Sequence, residues 1–206
     1  MVGNQNKYRF EKKFVVSRIR LNSVLCELKT SGFFKIYPNR IVNSIYFDDK
    51  YLSAYYENLE GLSERTKYRF RFYGNLSKKN ISGKFERKIK SNDVNYKLSE
   101  SKKISFENIY KIKFPNKKNL SPNIHTKYQR YYFYNRFKNI RCTVDIGLKI
   151  INVKNKLVKR FSDIIIEFKC DKKIIVNDVV KNANYNIRCS KYCLGIDLHN
   201  LAYEKY

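Results

Sequence analysis

Arg65-Thr66-Lys67-Tyr68-Arg69-Phe70-Arg71-Phe72-Tyr73, followed by Gly74-Asn75, is the stretch that decides how this chain folds. Successive side chains of a β-strand point to opposite faces. As a strand, the segment puts Arg65, Lys67, Arg69 and Arg71 on one face and Tyr68, Phe70 and Phe72 on the other. Strict alternation closed by Gly-Asn is the signature of a half-buried strand ending in a turn.

The same division recurs on either side of it. Arg9, Glu11 and Lys13 share a face, with Tyr8, Phe10 and Phe14 opposite. Lys84, Glu86, Lys88 and Lys90 oppose Phe85 and Ile89. Arg141, Thr143, Asp145 and Lys149 oppose Cys142, Val144, Ile146 and Leu148. Glu167 and Lys169 oppose Ile164, Ile166 and Phe168. Each segment has one apolar face and one face that mixes cations with few carboxylates. An ordinary wet sheet face uses Thr, Ser, Gln and Asn freely, whereas these faces are mostly Arg and Lys. Like charges opposite one another across strands are destabilising. The cost falls if the faces meet an anion, because Arg and Lys then give charge-assisted hydrogen bonds to phosphate oxygens. The few carboxylates would hold a divalent metal that bridges phosphates.

Other strand signals run over Lys7–Val16, Ile41–Asp48, Lys127–Tyr134 and Asp163–Cys170. Helical spacing follows a Ser17 cap through Ile19, Val24, Leu25 and Leu28 to Gly32. A short helix is expected through Leu52, Tyr55, Tyr56 and Leu59 to Gly61, another over Ser105–Lys113, and a closing helix over Ser190–Tyr206 capped by Ser190. Lys111–Asn123 is expected to be a loop. Many strands and few helices predict an α+β, mainly β fold: an antiparallel closed β-barrel with a charged interior and helices packed outside. Residues 1–206 are expected to form a single domain.

Lys and Arg number 44 against 18 Asp and Glu, a formal net charge of +26, so an anionic partner is expected. The five cysteines form no CxxC pair, and with only His125 and His199 available a structural zinc site is not expected. Cys189 and Cys193 would share a face if both lay on a helix. The N-terminus has no apolar h-region and no window reaches 18 apolar residues. A cytoplasmic protein with no membrane segment and reduced thiols is therefore expected. No GxxxxGK[ST] phosphate loop is present. The Tyr131-Tyr132-Phe133-Tyr134 run is expected to be strand and core instead of a base-stacking platform, and Tyr46, Tyr73 and Tyr192 to serve packing.

Eight short motifs, in order, resemble those of one family. Arg9-Phe-Glu11-Lys-Lys13-Phe14 resembles the R-x-E-x-K-[YF] opening of VTC (vacuolar transporter chaperone) domains, and Ser44-Ile-Tyr46-Phe47-Asp48 their S-x-Y-F-D strand. Lys67-Tyr-Arg69-Phe-Arg71-Phe-Tyr73 resembles K-x-R-x-R-x-Y, and Glu86-Arg-Lys88 resembles E-x-K. Tyr128-Gln-Arg130, Arg141-Cys-Thr143-Val-Asp145, Glu167-Phe-Lys169 and Ser190-Lys191-Tyr192 complete the set. The resemblance implies a triphosphate-tunnel barrel of the CYTH-like superfamily. It implies a polyphosphate polymerase that moves the γ-phosphate of ATP to a growing inorganic polyphosphate chain with Mn²⁺ or Mg²⁺. Carried over by motif, Lys13, Arg69, Arg71, Lys88, Arg130, Arg141, Lys169 and Lys191 would hold phosphates. Glu167 would be the main metal ligand, and Glu86 and Glu11 would be further ligands or would fix nearby cations. Asp145 would be a ligand or an arginine partner.

Two other functions share these residues. A triphosphatase would use the same grip with water as acceptor. A non-catalytic module binding polyphosphate or nucleic acid would also use the charge and aromatics. The carboxylate in four of the five cationic faces argues against nucleic acid, whose phosphate-tracking surfaces have little use for carboxylates.

Overall fold

The computed structural model describes residues 10–76, 80–91, 94–170 and 189–201, so Arg9, the start of the first strand and the end of the closing helix lie outside it. Nine strands and three helices follow one another: β1 (Phe10–Val16), α1 (Leu21–Thr30), β2 (Phe34–Asp48), α2 (Ser53–Glu60), β3 (Arg65–Tyr73), β4 (Ile81–Ser91), β5 (Val94–Ile104), β6 (Ser121–Asn135), β7 (Ile140–Asn152), β8 (Val158–Phe161), β9 (Ile164–Cys170) and α3 (Lys191–Leu198). The hydrogen-bonded order is β1-β9-β7-β6-β2-β3-β4-β5, with β8 on β7. The ladders with described registers are antiparallel. Among the described residues no ladder joins the end strands β1 and β5. What stands is a mainly β antiparallel sheet with few helices.

The chain divides into two compact units, and the long strands β2, β6 and β7 pass from one to the other. The first is Met1–Arg40, Gln129–Leu148 and Ser162–Cys189. Its core is the apolar face of three strands: Phe14 and Val16 of β1, Ile140, Cys142, Val144 and Ile146 of β7, and Ile164, Ile166, Phe168 and Cys170 of β9. Helix α1 covers that face with Val24 and Leu28, and Leu21 packs beside them, a stripe of the kind a 3.6-residue period produces. The helix ends in a Schellman motif. Gly32, at φ +79°, donates to Lys29 O, and Phe33 donates to Leu28 O. Ser17 caps nothing with its side chain. It precedes a 3₁₀ turn at Arg18–Arg20 that leaves Ile19 out in solvent.

The second unit is Ile41–Tyr128, Lys149–Phe161 and Ser190–Tyr206. The apolar faces of β2, β3 and β4 bring Ile45, Phe47, Phe70, Phe72, Ile81 and Phe85 together under Ile109, Ile112, Phe114 and Leu120. The expected helix over 105–113 is only a 3₁₀ turn, Phe106–Asn108. Gly83 sits on this apolar face opposite Phe72. A Cβ there would lie 2.4 Å from Phe70 Cζ and 2.7 Å from the Arg71 carbonyl oxygen. Backbone cannot step aside as a side-chain tip can, so Gly83→Ala is expected to cost about 1–3 kcal/mol, read as a lower denaturant midpoint at unchanged m.

Helix α1 covers apolar sheet as expected for a helix on the outside. Helices α2 and α3 instead reach the charged face of the second unit, through Asn58 and Ser190 at Lys67 and Tyr192 against Tyr46. Gly195 makes room for α3, since a Cβ would lie 2.7 Å from Ile124 Cγ2. Cys189 precedes α3, so it does not share a helical face with Cys193.

His125 is fully buried, with Nε2 3.1 Å from Asn43 Oδ1 and Nδ1 2.7 Å from the Tyr110 hydroxyl. Burial, then Lys127 and Lys156, push its pKa down to about 4, so it is a neutral structural group at pH 7. Tyr110 donates to Nδ1, and Nε2–H donates to Asn43.

Candidate functional site

In the first unit the register of β1 on β9 places Glu11 opposite Lys169 and Lys13 opposite Glu167. The register of β7 on β9 places Arg141 opposite Lys169 and Thr143 opposite Glu167. The side chains follow. Lys169 Nζ lies 3.3 Å from Glu11 Oε1 and 3.6 Å from Glu167 Oε1. Lys13 Nζ lies 3.8 Å from Glu167 Oε1. Arg130 of β6 grips Asp145 with two bonds, from Nε at 2.6 Å and from Nη2 at 2.7 Å, and the same Nη2 is 4.0 Å from Glu167 Oε2. Glu167 is thus the hub of this cluster. Asp145, buried against Arg130, acts as an arginine partner in this arrangement.

Thr143 Oγ1 is buried and has no hydrogen-bond partner among the described residues. Leaving such a hydroxyl unsatisfied costs about 1–3 kcal/mol. A phosphate oxygen or metal-bound water on this face would satisfy it. Among the described residues no three His, Cys, Asp or Glu side chains gather into an all-protein metal cage. The donors present suit a hard cation held by one or two carboxylates and completed by substrate phosphates and water. Glu167 and Glu11 are the carboxylates of this face that fit that description, each 3.3–3.8 Å from a lysine that a phosphate could draw away.

In the second unit β2, β3, β4 and β5 lie side by side. Here Tyr46 is opposite Arg69 and Ser44 opposite Arg71. Arg69 is opposite Glu86, but Arg65 faces Lys90, Lys67 faces Lys88 and Arg71 faces Lys84. Lys88 faces a second cation, Lys97. Glu86 is buried and binds Arg69 at 2.5 and 2.6 Å, Lys97 at 3.4 Å and Arg71 at 4.0 Å. Burial alone would raise its pKa; Arg69, Arg71 and Lys97 hold it down to about 2. Glu86 therefore fixes cations here. Arg71 Nε donates to Ser44 Oγ at 3.3 Å. Lys191 lies 4.7 Å from the centre of the Tyr128 ring, a cation–π distance.

Two motif residues have a purpose that the spacing did not disclose. Asp48 accepts from Ala54 and Tyr55 N–H at the start of α2, and from the Tyr192 hydroxyl at 2.6 Å. It caps one helix and anchors another. Tyr192 in turn stacks on Tyr46 at 5.4 Å. Burial would raise the Tyr46 phenol, but Arg69, Arg71 and Lys191 pull its pKa below the ordinary value. Tyr46 is thus part of the cationic face as well as of the packing. Lys67, expected on the cationic face but not among the phosphate ligands, is bonded to Asn58 Oδ1 and, at 3.0 Å, to Ser190 Oγ. Lys97 was not anticipated, because β5 has no periodic signal. The alternation of Ser44, Tyr46 and Asp48 was the signal available for the first group.

The family model for the VTC domain matches residues 8–111 and 95–200. The chain belongs to the VTC domain family. No curated protein sequence is similar enough to match this VTC domain. Solved structures resemble it in fold at low identity. A candidate adenylate cyclase of Vibrio parahaemolyticus has a TM-score of 0.50 at 11% identity, over 97% of this chain and 90% of that one. HpAC1 of Hippeastrum, a candidate adenylyl cyclase described as having a dominant triphosphatase activity, gives 0.52 at 10% identity, over 91% and 94%. The PH1819 protein of Pyrococcus horikoshii gives 0.50 at 10% identity, over 96% and 89%. The VTC domain shares with these structures a mainly β, antiparallel fold with few helices. Among the described residues no helix is long and apolar enough to cross a membrane.

Proposed function

We propose that this VTC domain is a polyphosphate polymerase that transfers the γ-phosphate of ATP to the end of an inorganic polyphosphate chain. The observation that carries the reading is the register of β3, β4 and β5, with Arg65 on Lys90, Lys67 on Lys88, Arg71 on Lys84 and Lys88 on Lys97. Each like pair directly opposite is unfavourable by about 0.2–1 kcal/mol, and a bound polyanion reverses the sign. Lys13, Arg130, Arg141 and Lys169 of the first unit, and Arg69, Arg71, Lys88 and Lys191 of the second, are the proposed phosphate ligands. The accompanying fold proposal is a closed barrel with these faces inward, spanning the whole chain as one domain.

The chemistry asked of the protein is positioning and charge stabilisation. An oxygen of the acceptor's terminal phosphate attacks the γ-phosphorus, the bond to the β-phosphate oxygen breaks, and ADP leaves. No protein nucleophile is required. A divalent ion, Mn²⁺ or Mg²⁺, held by Glu167 with Glu11, would neutralise charge on the phosphates. A cytoplasmic setting, where ATP is plentiful, belongs to the same reading.

Hydrolysis of a triphosphate is the second reading, favoured by the triphosphatase activity described for HpAC1. Incubation with ATP and Mn²⁺ separates the two. Long phosphate chains with ADP are expected. Free phosphate without chains would replace the polymerase by the hydrolase. Tight polyphosphate binding with neither product would leave a binding subunit.

A further inference from the structure

The run Tyr131-Tyr132-Phe133-Tyr134 is split by its strand. Tyr131 and Phe133 pack against the core of the first unit. Tyr132, of the opposite parity, meets Tyr37 of β2 edge to face at 5.9 Å. Tyr37 is 53% exposed. The guanidinium carbon of Arg40, itself exposed, lies 5.7 Å from the Tyr37 ring centre and 5.9 Å from that of Tyr132. Two aromatic rings and a guanidinium therefore form one cluster, with Tyr37 and Arg40 exposed and Tyr132 half-buried.

Their place in the unit says what they serve. Tyr132 and Arg130 are two residues apart on β6, so they project from the same face about 7 Å apart along the strand. Arg130 is the residue that joins Asp145 to Glu167 in the carboxylate–cation cluster. A nucleotide with its α-phosphate at Arg130 and its ribose running along β6 in the direction of Tyr132 would bring its base to these rings. Purine rings stack on aromatic faces and on guanidinium planes. We propose that Tyr37, Arg40 and Tyr132 form the subsite for the nucleobase of a nucleoside triphosphate. The proposal rests on the phosphate-binding reading above and deepens it. An inorganic chain has no base, so the subsite would let the protein tell a nucleotide donor from a bare phosphate acceptor.

Titration of the full chain with ATP and with inorganic tripolyphosphate, each with Mn²⁺, tests this. Tyr132→Ala and Tyr37→Ala are expected to weaken ATP about five- to tenfold and leave tripolyphosphate unchanged. Tyr132→Phe, which keeps the ring, is expected to bind both as the wild type does. Equal weakening of both ligands, or unchanged ATP affinity in both alanine variants, overturns the subsite and leaves the phosphate reading intact. A wild-type chain that binds neither ligand overturns the phosphate reading and the subsite with it.

Discussion

Arg71→Ala is expected to lower the rate of phosphoryl transfer by about two to three orders of magnitude while the protein stays folded, the loss found when one donor to developing charge is removed. Its contacts are loose: Ser44 Oγ at 3.3 Å and Glu86 at 4.0 Å. Arg69, beside it, is held by Glu86 at 2.5 Å and so is positioned by protein. Arg71 can therefore turn its fork onto a phosphate at small cost. Glu86 would keep Arg69 and Lys97 in the variant, so the melting temperature should move little. Arg71→Lys should recover only part of the rate, since a point charge does not replace bidentate geometry. Lys84 pairs with Arg71 in register but is exposed, so Lys84→Ala is expected to lose less of the rate than Arg71→Ala. Lys169→Ala is expected to lose as much as Arg71→Ala. Full activity in Arg71→Ala would remove the cationic face from the mechanism.

What the sequence disclosed follows from where each signal is local. Strand β3 runs over the residues its alternation marked, because both faces are patterned and Gly74 stops it. Strand β5 was missed. Lys97, Ser99 and Ser101 alternate with Leu98, Glu100 and Lys102, so neither face is apolar, and only its pairing with β4 makes it a strand. Strand β8 is four residues long and has the same difficulty. Ile109 and Ile112 imitate a helix by their spacing, yet they are buried as irregular chain over β2–β4. Strand β2 begins at Phe34 instead of Ile41, since its first part is exposed and carries Pro38. In the site, parity alone placed the cations and carboxylates on shared faces. Asp48 could not be read so: its partner Tyr192 is 144 residues away, and only the folded chain brings them together.

Glu86 and Glu167 were alike in sequence, each the carboxylate beside a lysine two positions on, and their surroundings now separate their expected behaviour. Glu86 is clamped by Arg69 and its pKa is depressed to about 2, against about 4.5 in an unfolded chain. A carboxylate depressed by folding adds stability that is complete above about pH 4.5 and is lost as pH falls towards 2. Glu86→Gln is expected to cost about 2–3 kcal/mol at pH 7 and to flatten the stability profile in that acid window. Its Mn²⁺ requirement should not move, since arginine already occupies the carboxylate. Glu167 lies 3.6, 3.8 and 4.0 Å from Lys169, Lys13 and Arg130, none of them as close as the two Arg69 nitrogens on Glu86. Those cations can pass to a bound phosphate and release its oxygens to a metal. Glu167→Gln is therefore expected to raise the Mn²⁺ concentration for half-maximal activity by about tenfold or more, with a smaller effect on stability. Metal titrations and acid unfolding of the two variants decide it. A shifted metal requirement in Glu86→Gln with none in Glu167→Gln would exchange the two assignments.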